Sequence, residues 1–401
     1  MKIISRKQYA DKIDKWLGKE QIIVLTGQRR VGKSFLLKDF IQRHQDEENS
    51  KIIFIDKEKR DFRFIKDDAQ LGDYIEDHIA KGKHNYIIID EVQDINGWER
   101  AIRSFRTDGN TDIILTGSNS KMLSSELSTL LSGRYQEIRV QGLDYSEFLV
   151  FHNLKDDEES LWKYLNYGGM PGLKQIGLED DEQVWEYLKS VNNTVILKDI
   201  IERYSIRNIS FLNTLLVYLA DTMGKVNSAT NISHFMKSQG LSISTNIILD
   251  YINYFQQTYL INEVRRYGIH GKKLFESNKK IYFGDVGLRN AIVGGYREDD
   301  IEKIMESVVY QKLVRLGYQV AVGELRVGEI DFVCTKQNQK KYVQVAYLIV
   351  GEETTTREFG RLKEIKDNYP KYVISLSPIG HSRDHEGIVH LNLRDFLKNG
   401  F

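Results

Sequence analysis

Gly27-Gln28-Arg29-Arg30-Val31-Gly32-Lys33-Ser34 is the stretch that decides the fold. It has the pattern G-x-x-x-x-G-K-S, and it lies between the apolar run 22–25 and a segment from Phe35 onward whose apolar residues recur at helical spacing. A strand, a glycine-bounded loop and a helix in this order are typical of a phosphate-binding loop. Glycines let backbone N–H groups turn towards phosphate oxygens, which the positive end of the following helix also faces. The sequence therefore predicts that residues 27–35 bind a nucleotide.

Two side chains of this loop and two carboxylates further along predict the chemistry of the site. Lys33 can reach the β- and γ-phosphates of ATP, and the Ser34 hydroxyl can ligate Mg²⁺. The apolar run 86–89 ends in Asp90 and Glu91, as a buried parallel strand followed by two acids would. Asp90 is then placed to hold Mg²⁺ through water, and Glu91 to orient and deprotonate the attacking water. We expect Mg²⁺-dependent ATP hydrolysis.

Composition indicates a soluble globular protein of two to four domains. The chain has 401 residues, of which 41% are hydrophobic and 28% charged, with 57 basic and 57 acidic side chains. Zero net charge gives no whole-chain argument for nucleic acid or an anionic membrane as partner. The single cysteine, Cys334, excludes an intramolecular disulfide. Because no apolar stretch approaches the roughly 20 residues needed to span a bilayer, and no secretory apolar region follows Met1, we expect a cytoplasmic protein.

Five short apolar runs alternate with helical or polar stretches, and this alternation predicts the fold class. The runs are 22–26, 51–55, 86–90, 112–116 and 135–140. Alternation with such short connections favours an α/β fold with a parallel sheet and helices on both faces. Ligands of these sheets bind beyond the carboxyl ends of the strands, where the phosphate loop and Asp90-Glu91 both fall.

The connection between the fourth and fifth apolar runs carries further candidate residues at both of its ends. Ser118 and Asn119 follow the fourth run, where they would either sense the γ-phosphate or cap the next helix. Gly133 is expected to end that helix and to place Arg134 on the surface before the fifth strand. Arg134 would there be a solvated side chain or would reach the nucleotide of a neighbouring subunit.

At this point the pattern resembles the AAA+ ATPases, and more narrowly a prokaryotic group in which an AAA+ module is fused to a C-terminal region of uncharacterised function. The stretches that carry the resemblance are 27–34, 90–91, 116–118, 131–134, 145–149, 168–171 and 282–288. They extend over nearly the whole chain. The resemblance implies the AAA+ fold and, by analogy, an arginine finger at Arg134, which would require a homo-oligomer.

Four segments are expected: an AAA+ P-loop domain at 1–150, a helical lid or linker at 151–207, a winged-helix domain at 208–295 and an α/β domain at 296–401. Three helices followed by a two-stranded ribbon predict the winged helix. Its ribbon is basic, with candidate DNA-binding residues Arg265, Arg266, Lys272 and Lys273. The third helix is poor in Arg and Lys, which weakens base readout. DNA contact and protein docking both stay open.

The last hundred residues are similar to the PD-(D/E)XK nuclease core, with the order helix, three strands, helix, strand. An active member needs an acid on the second strand and an acid-x-Lys on the third. Asp331 fits the first position, but the third strand has Gln344 and Ala346 instead. Glu306 is a further acid near this core, and Lys363 is a candidate for a displaced lysine. The interpretation is a degenerate core kept for binding.

Three functions remain in competition. The leading hypothesis is an AAA+ ATPase that acts as a molecular switch or remodeller, with downstream domains that recognise DNA or a protein client. The alternatives are an ATP-gated nuclease, which Ala346 argues against, and a signalling scaffold that binds nucleotide without turnover, which intact Lys33, Asp90 and Glu91 argue against.

Overall fold

The chain divides into two compact units, the first Met1–Gln141 with Gln257–Tyr259 and the second Gly142–Gln256 with Leu260–Phe401. The structure, a computed structural model, describes residues 3–106, 109–119, 131, 133–271, 273–378 and 382–401, without the side chains of 273, 275–277, 382 and 383. Apart from Gln257–Tyr259, the predicted segments 151–207, 208–295 and 296–401 lie in the second unit. Within these described ranges, no helix combines the length and apolarity needed to cross a membrane.

The first unit is built on a five-stranded parallel sheet with the strand order β2-β3-β4-β1-β5. The strands are β1 Ile22–Thr26, β2 Ser50–Asp56, β3 His84–Asp90, β4 Thr111–Gly117 and β5 Tyr135–Arg139. The described helices of this unit are α1 Lys7–Asp14, α2 Lys33–His44, α3 Asp68–His78 and α4 Trp98–Phe105. The predicted α/β fold with a parallel sheet is confirmed for this part of the chain.

Both faces of this sheet are buried, which explains the continuous apolar runs. Side chains of a strand point alternately to the two faces. On one face, Ile22 and Val24 of β1 share a core with Trp98 of α4. Ile23 and Leu25 point the other way and are equally buried. A strand covered on both sides has no polar face, so its sequence does not alternate.

The second unit begins with helices and continues into a mixed α/β arrangement. Its helices, in chain order, are Tyr145–His152, Glu158–Tyr167, Leu173–Ile176, Asp181–Thr194, the π-helical Val195–Glu202, Ile209–Asp221, Ala229–Ser238, Thr245–Gln257 (of which Gln257 belongs to the first unit), Val286–Ile292, Ile301–Arg315, Gly351–Lys363 and Leu393–Asn399. The strands are β6 Val226–Asn227, β7 Ile261–Gly268, β8 Lys273–Phe283, β9 Gln319–Glu324, β10 Glu329–Lys336, β11 Gln339–Ala346, β12 Lys371–Ser375, β13 Ser382–His385 and β14 Ile388–Asn392.

These nine strands form one sheet with the order β13-β14-β12-β11-β10-β9-β7-β8-β6. The antiparallel ribbon of β7 and β8 continues on one side to β6 and on the other side to β9, which pairs with β7 in parallel. The ribbon expected in a winged helix and the strands expected in a nuclease-like core are therefore hydrogen-bonded to each other. Length and spacing of the segments gave no sign of this junction.

Two glycine-containing motifs of the second unit, at 168–171 and 282–288, bind each other. Both oxygens of the buried Asp285 carboxylate accept backbone N–H bonds, from Gly169 at 2.7 Å and from Leu288 at 3.0 Å. A Cβ on Gly287 would lie 1.8 Å from the Tyr167 carbonyl oxygen, so no side chain fits there. Burial raises the pKa of Asp285 to about 6, against the pull of those N–H bonds. The role of both motifs in this contact is structural.

Candidate functional site

The phosphate loop is held in a conformation that only glycine permits at its first position. Gly27 directly follows β1 with φ +141°, and a Cβ there would lie 2.1 Å from the Val140 carbonyl oxygen. Helix α2 then begins at Lys33. The loop is thereby pressed against the chain that leaves β5, with its helix N-terminus at the carboxyl end of β1. This is the geometry expected of an anion-binding loop.

Lys33 lies inside this loop. Its Nζ donates to the carbonyl oxygens of Gly27 at 2.9 Å and Gln28 at 3.1 Å, and the side chain is buried. A buried ammonium must have acceptors, and backbone carbonyls of the loop supply them here. Phosphate oxygens are stronger acceptors than these carbonyls, because they carry charge.

Asp90 at the end of β3 lies beside two hydroxyl groups. Its Oδ1 accepts from Thr116 Oγ1 at 2.5 Å, and its carboxylate also accepts from Ser34. Burial raises the pKa of Asp90, the two hydroxyl bonds oppose this rise, and the negative charge of Glu91 adds to it. A carboxylate and a hydroxyl brought together in this way are oxygen ligands of the kind that Mg²⁺ prefers. The residues therefore fit the predicted metal.

Glu91 has a left-handed backbone with φ 56° and ψ 55°, which is uncommon outside glycine. Its N–H donates to Thr116 Oγ1 at 2.9 Å, and its carboxylate accepts a short bond from the Gln93 side-chain amide. The side chain is buried. Thr116 and Gln93 thus fix both the backbone and the carboxylate of the predicted base. Such strained, doubly held residues cluster at functional sites.

Strand β4 lies between β1, which leads into the phosphate loop, and β3, which leads into Asp90 and Glu91. Ser118 follows β4 and is 1% exposed, and its Oγ has no hydrogen-bond partner among the described residues. Asn119 is buried as well. The structure thus brings Ser118 to the edge that carries the loop and the acids. The alternative, a helix cap, concerns residues 120–130, which lie outside the described residues.

The remaining loop residues differ in exposure. Gln28 and Val31 are buried, whereas the Phe35 ring is 40% exposed at the start of α2. Arg29 lies 3.8 Å from Glu58, a pairing open to solvent. Arg30 has φ 71°. Phe35 is therefore partly exposed beside the loop, with Lys38 Nζ 5.0 Å from the centre of its ring.

Sequence reasoning missed Arg6 as a support of this loop. The Arg6 guanidinium is buried, and its Nη1 donates to the carbonyl oxygens of Val31 and Gln141, each at 3.0 Å. Its Cζ also lies 4.5 Å from the centre of the Tyr9 ring. Arg6 thereby ties the phosphate loop to the segment after β5. The sequence showed only a basic residue before an apolar helix face. The Val31 carbonyl that Arg6 binds lies 25 residues further along the chain.

Arg134 lies at the amino-terminal end of the sheet's strands, whereas the phosphate loop lies at their carboxyl end. Its carbonyl accepts from Ile22 N at 3.0 Å, at the start of β1, whereas the loop follows Thr26 at the end of β1. Four residues of strand separate these two ends by about 13 Å. The structure does not bring Arg134 to the nucleotide site of its own chain.

Of the four candidate DNA-binding residues on the ribbon, two can be described. Arg265 is exposed, and Arg266 donates to Glu324 Oε1 at 2.6 Å. Lys272 and the side chain of Lys273 lie outside the described residues. Two other basic residues of the ribbon are also paired: Lys279 with Glu263 at 2.6 Å, and the buried Lys280 with Glu306 at 2.8 Å. Among the described residues of the ribbon, the exposed positive charge is smaller than the sequence indicated.

The candidate residues of the nuclease-like core come together, but with a different lysine. Asp331 and Gln344 lie on the neighbouring strands β10 and β11, with Asp331 N donating to Gln344 Oε1 at 3.4 Å. The ammonium that approaches Asp331 and Glu306 belongs to Lys280. Lys363 instead pairs with Glu386 at 2.7 Å. Ala346 ends β11.

Comparison with known proteins agrees with the first unit's architecture. A family described as AAA domain matches residues 19–149, and a domain of unknown function matches residues 158–299. A Walker-type ATPase of Pyrococcus abyssi superposes with a TM-score of 0.51 over 72% of this chain and 96% of its own, at 18% identity. At this identity the likeness concerns the fold alone. The fold and the loop together define an AAA-type P-loop ATPase fold.

A relative that matches most of the chain identifies the family. An uncharacterised protein of Haemophilus influenzae is 32% identical over 381 residues, which cover 93% of each chain. A second, from Methanocaldococcus jannaschii, is 29% identical over 86% of this chain and 79% of its own. The chain belongs to the same family as the Haemophilus influenzae protein.

Proposed function

We propose that the protein binds ATP with Mg²⁺ and hydrolyses it at the carboxyl edge of the five-stranded sheet. One observation carries the proposal: the phosphate loop after β1 and the acids after β3 flank β4, whose Thr116 binds both Asp90 and Glu91. A base, a metal ligand and a phosphate cradle are thereby held by three adjacent strands.

Each residue has a distinct task in this proposal. Lys33 exchanges its loop carbonyls for β- and γ-phosphate oxygens, and Ser34 and Asp90 would hold Mg²⁺. Bound Mg²⁺ would neutralise charge on the phosphate oxygens. Glu91 accepts the proton of the attacking water, while Gln93 keeps its carboxylate in place. Ser118, whose hydroxyl has no partner among the described residues, donates to the γ-phosphate and so makes the site sensitive to hydrolysis.

Replacing Lys33 by Ala tests nucleotide binding directly. We expect ATP to bind at least about tenfold more weakly, because a charge-assisted contact to phosphate is worth about 1.5–3 kcal/mol. Titration of a fluorescent ATP analogue measures the effect. Lys51→Ala is the matched control, since Lys51 is exposed near the opposite end of β2. Equal affinities of the wild type and the Lys33 variant would refute the assignment of the loop.

We further propose that the second unit recognises a protein client, and that nucleotide turnover makes the protein a switch or remodeller of it. The helix Thr245–Gln257 contains no Arg or Lys, and Ile247 and Leu249 are 41% and 51% exposed on it. A helix that reads DNA needs hydrogen-bonding and cationic side chains on its outer face. Among the described residues of the ribbon, Arg266 is paired with Glu324 and Lys279 with Glu263, which favours a protein surface over duplex DNA.

The ribbon provides the test between the two kinds of target. Arg265, Arg266, Lys272 and Lys273 are replaced by Ala, and duplex DNA binding is measured over a salt series. We expect wild type and variant to bind equally weakly. A control variant loses four exposed lysines of the N-terminal region: Lys7, Lys12, Lys15 and Lys19. DNA would instead be the target if only the ribbon variant lost affinity and its salt slope became shallower by about one unit per lost phosphate contact.

A further inference from the structure

The second unit contains a buried ammonium surrounded by three carboxylates. Lys280 Nζ lies 2.8 Å from Glu306 Oε1, 2.7 Å from Glu329 Oε1 and 3.9 Å from Asp331 Oδ1. The Lys280 side chain is 3% exposed. Glu306 comes from the helix Ile301–Arg315, and the other two acids come from β10. One cation thus joins three elements of the nine-stranded sheet unit.

The position of Lys280 in the sheet directs it into this cluster. Strand β8 runs between β6 and β7, and Lys280 is opposite Val226 on one side and Val264 on the other. Alternation of side chains sends Lys279 to the other face, where it forms a partly exposed pair with Glu263 at 2.6 Å. Two consecutive lysines therefore have different environments, and only Lys280 faces the acids.

Two of the three carboxylates accept further hydrogen bonds besides their contact with the ammonium. Tyr282, two residues further along β8, donates its hydroxyl to Glu306 Oε1 at 2.6 Å. The N–H of Val345 donates to Asp331 Oδ2 at 2.8 Å. Glu306 Oε1 therefore accepts from both Tyr282 and Lys280, and Asp331 has a backbone donor at Oδ2 besides the ammonium near Oδ1. Buried ion pairs are stable only when such additional bonds satisfy their remaining lone pairs.

The negative charges of the surrounding acids favour the protonated form of Lys280. Burial alone would lower the pKa of Lys280, but the charges of Glu306, Asp331 and Glu329 outweigh it and raise the pKa above its ordinary value. Burial, with the charge of Glu306, raises the pKa of Asp331 well above its usual range. Lys280 consequently stays protonated at neutral pH.

We propose that the Lys280 ammonium is the resident cation of this acid cluster and takes the place that a divalent metal would hold among the same carboxylates. A hard divalent cation needs several oxygen ligands around one point, and the ammonium already lies between Glu306 and Glu329. The cluster is an internal salt-bridge site that fastens β8 to β10 and to the helix Ile301–Arg315.

The first experiment uses full-length protein without nucleotide. Mn²⁺ binding is followed by electron paramagnetic resonance for the wild type and for Glu306→Gln/Asp331→Asn. We expect the same number of bound Mn²⁺ ions per chain in both, because the ammonium leaves no room for a metal. One Mn²⁺ per chain bound by the wild type and lost in the double variant would overturn the proposal.

The second experiment removes the ammonium while keeping the side-chain stem, as Lys280→Met. We expect the melting temperature to fall by about 5 °C or more, because the buried Asp331 and the partly exposed Glu306 and Glu329 lose their counter-ion. We also expect Mn²⁺ to bind this variant at least about tenfold more tightly than the wild type and to restore part of the melting temperature. The control is Lys279→Met, which breaks only the partly exposed pair with Glu263.

An unchanged melting temperature of Lys280→Met, or equal stabilisation of wild type and variant by Mn²⁺, would contradict the proposal. If Lys280→Met does not fold, Lys280→Met/Glu306→Gln takes its place, since it removes one charge of each sign. This double variant should fold and should bind Mn²⁺ more tightly than Glu306→Gln alone, which keeps the ammonium; equal affinities would contradict the proposal. The proposal does not depend on ATP hydrolysis, so failure of either leaves the other intact.

Discussion

Glu91→Gln should stop ATP hydrolysis while nucleotide binding remains at the wild-type level. The amide cannot accept a proton from water, and general-base catalysis is worth about 10²–10⁴-fold in rate. Binding should persist because Lys33 and the loop are unchanged. Steady-state phosphate release measures the turnover, and titration with a fluorescent ATP analogue measures the binding.

Two comparisons make this experiment specific. Glu76→Gln removes a carboxylate from the exposed surface of α3 and should leave both quantities unchanged. Thr116→Val keeps Glu91 but removes the hydroxyl that bonds to Asp90 and to the Glu91 amide, so it should lower turnover as well. Normal turnover by Glu91→Gln would show that another group is the base.

Arg134→Ala should lower turnover by roughly 10³-fold or more, the scale of an arginine finger, with little effect on nucleotide binding. The placement of Arg134 at the far edge of its own sheet means that this effect can arise only across a subunit boundary. Mixing Arg134→Ala with Glu91→Gln subunits should therefore restore part of the activity, because one interface then contains both intact groups.

Two measurements accompany the mixing experiment. Each variant alone should stay inactive at every protein concentration. The wild-type rate per subunit should rise with concentration as subunits associate. A rate per subunit that does not depend on concentration, or a mixture no more active than its parts, would exclude a finger at Arg134 and would leave it a surface side chain.

The local parts of the nucleotide site were predictable from sequence, because each depends on a short motif attached to a buried strand. The loop needs glycine at 27, and β1 before it is apolar on both faces. Asp90 and Glu91 follow the apolar run 86–89 in the same way. Ser118 could be placed at the same edge because parallel strands end together.

Long-range partners were not predictable. Arg6 supports the loop through the carbonyls of Val31 and Gln141, and nothing in the residues around Arg6 specifies those acceptors. Lys279 and Lys280 looked alike in a basic run, but their burial depends on which face of β8 each occupies. That face is set by pairing with β6 and β7, so it requires the register of strands distant in sequence.

The pairing of β7 with β9 limits which fragments of this protein keep all their strand pairings. Arg266, Tyr267 and Gly268 lie opposite Val322, Gly323 and Glu324 in one parallel ladder. A fragment that started near residue 296 would present β9 as a bare edge, with unpaired N–H and C=O groups that recruit other strands. The ribbon and the C-terminal strands therefore form a single structural unit, and we expect a fragment or a fusion to need both parts.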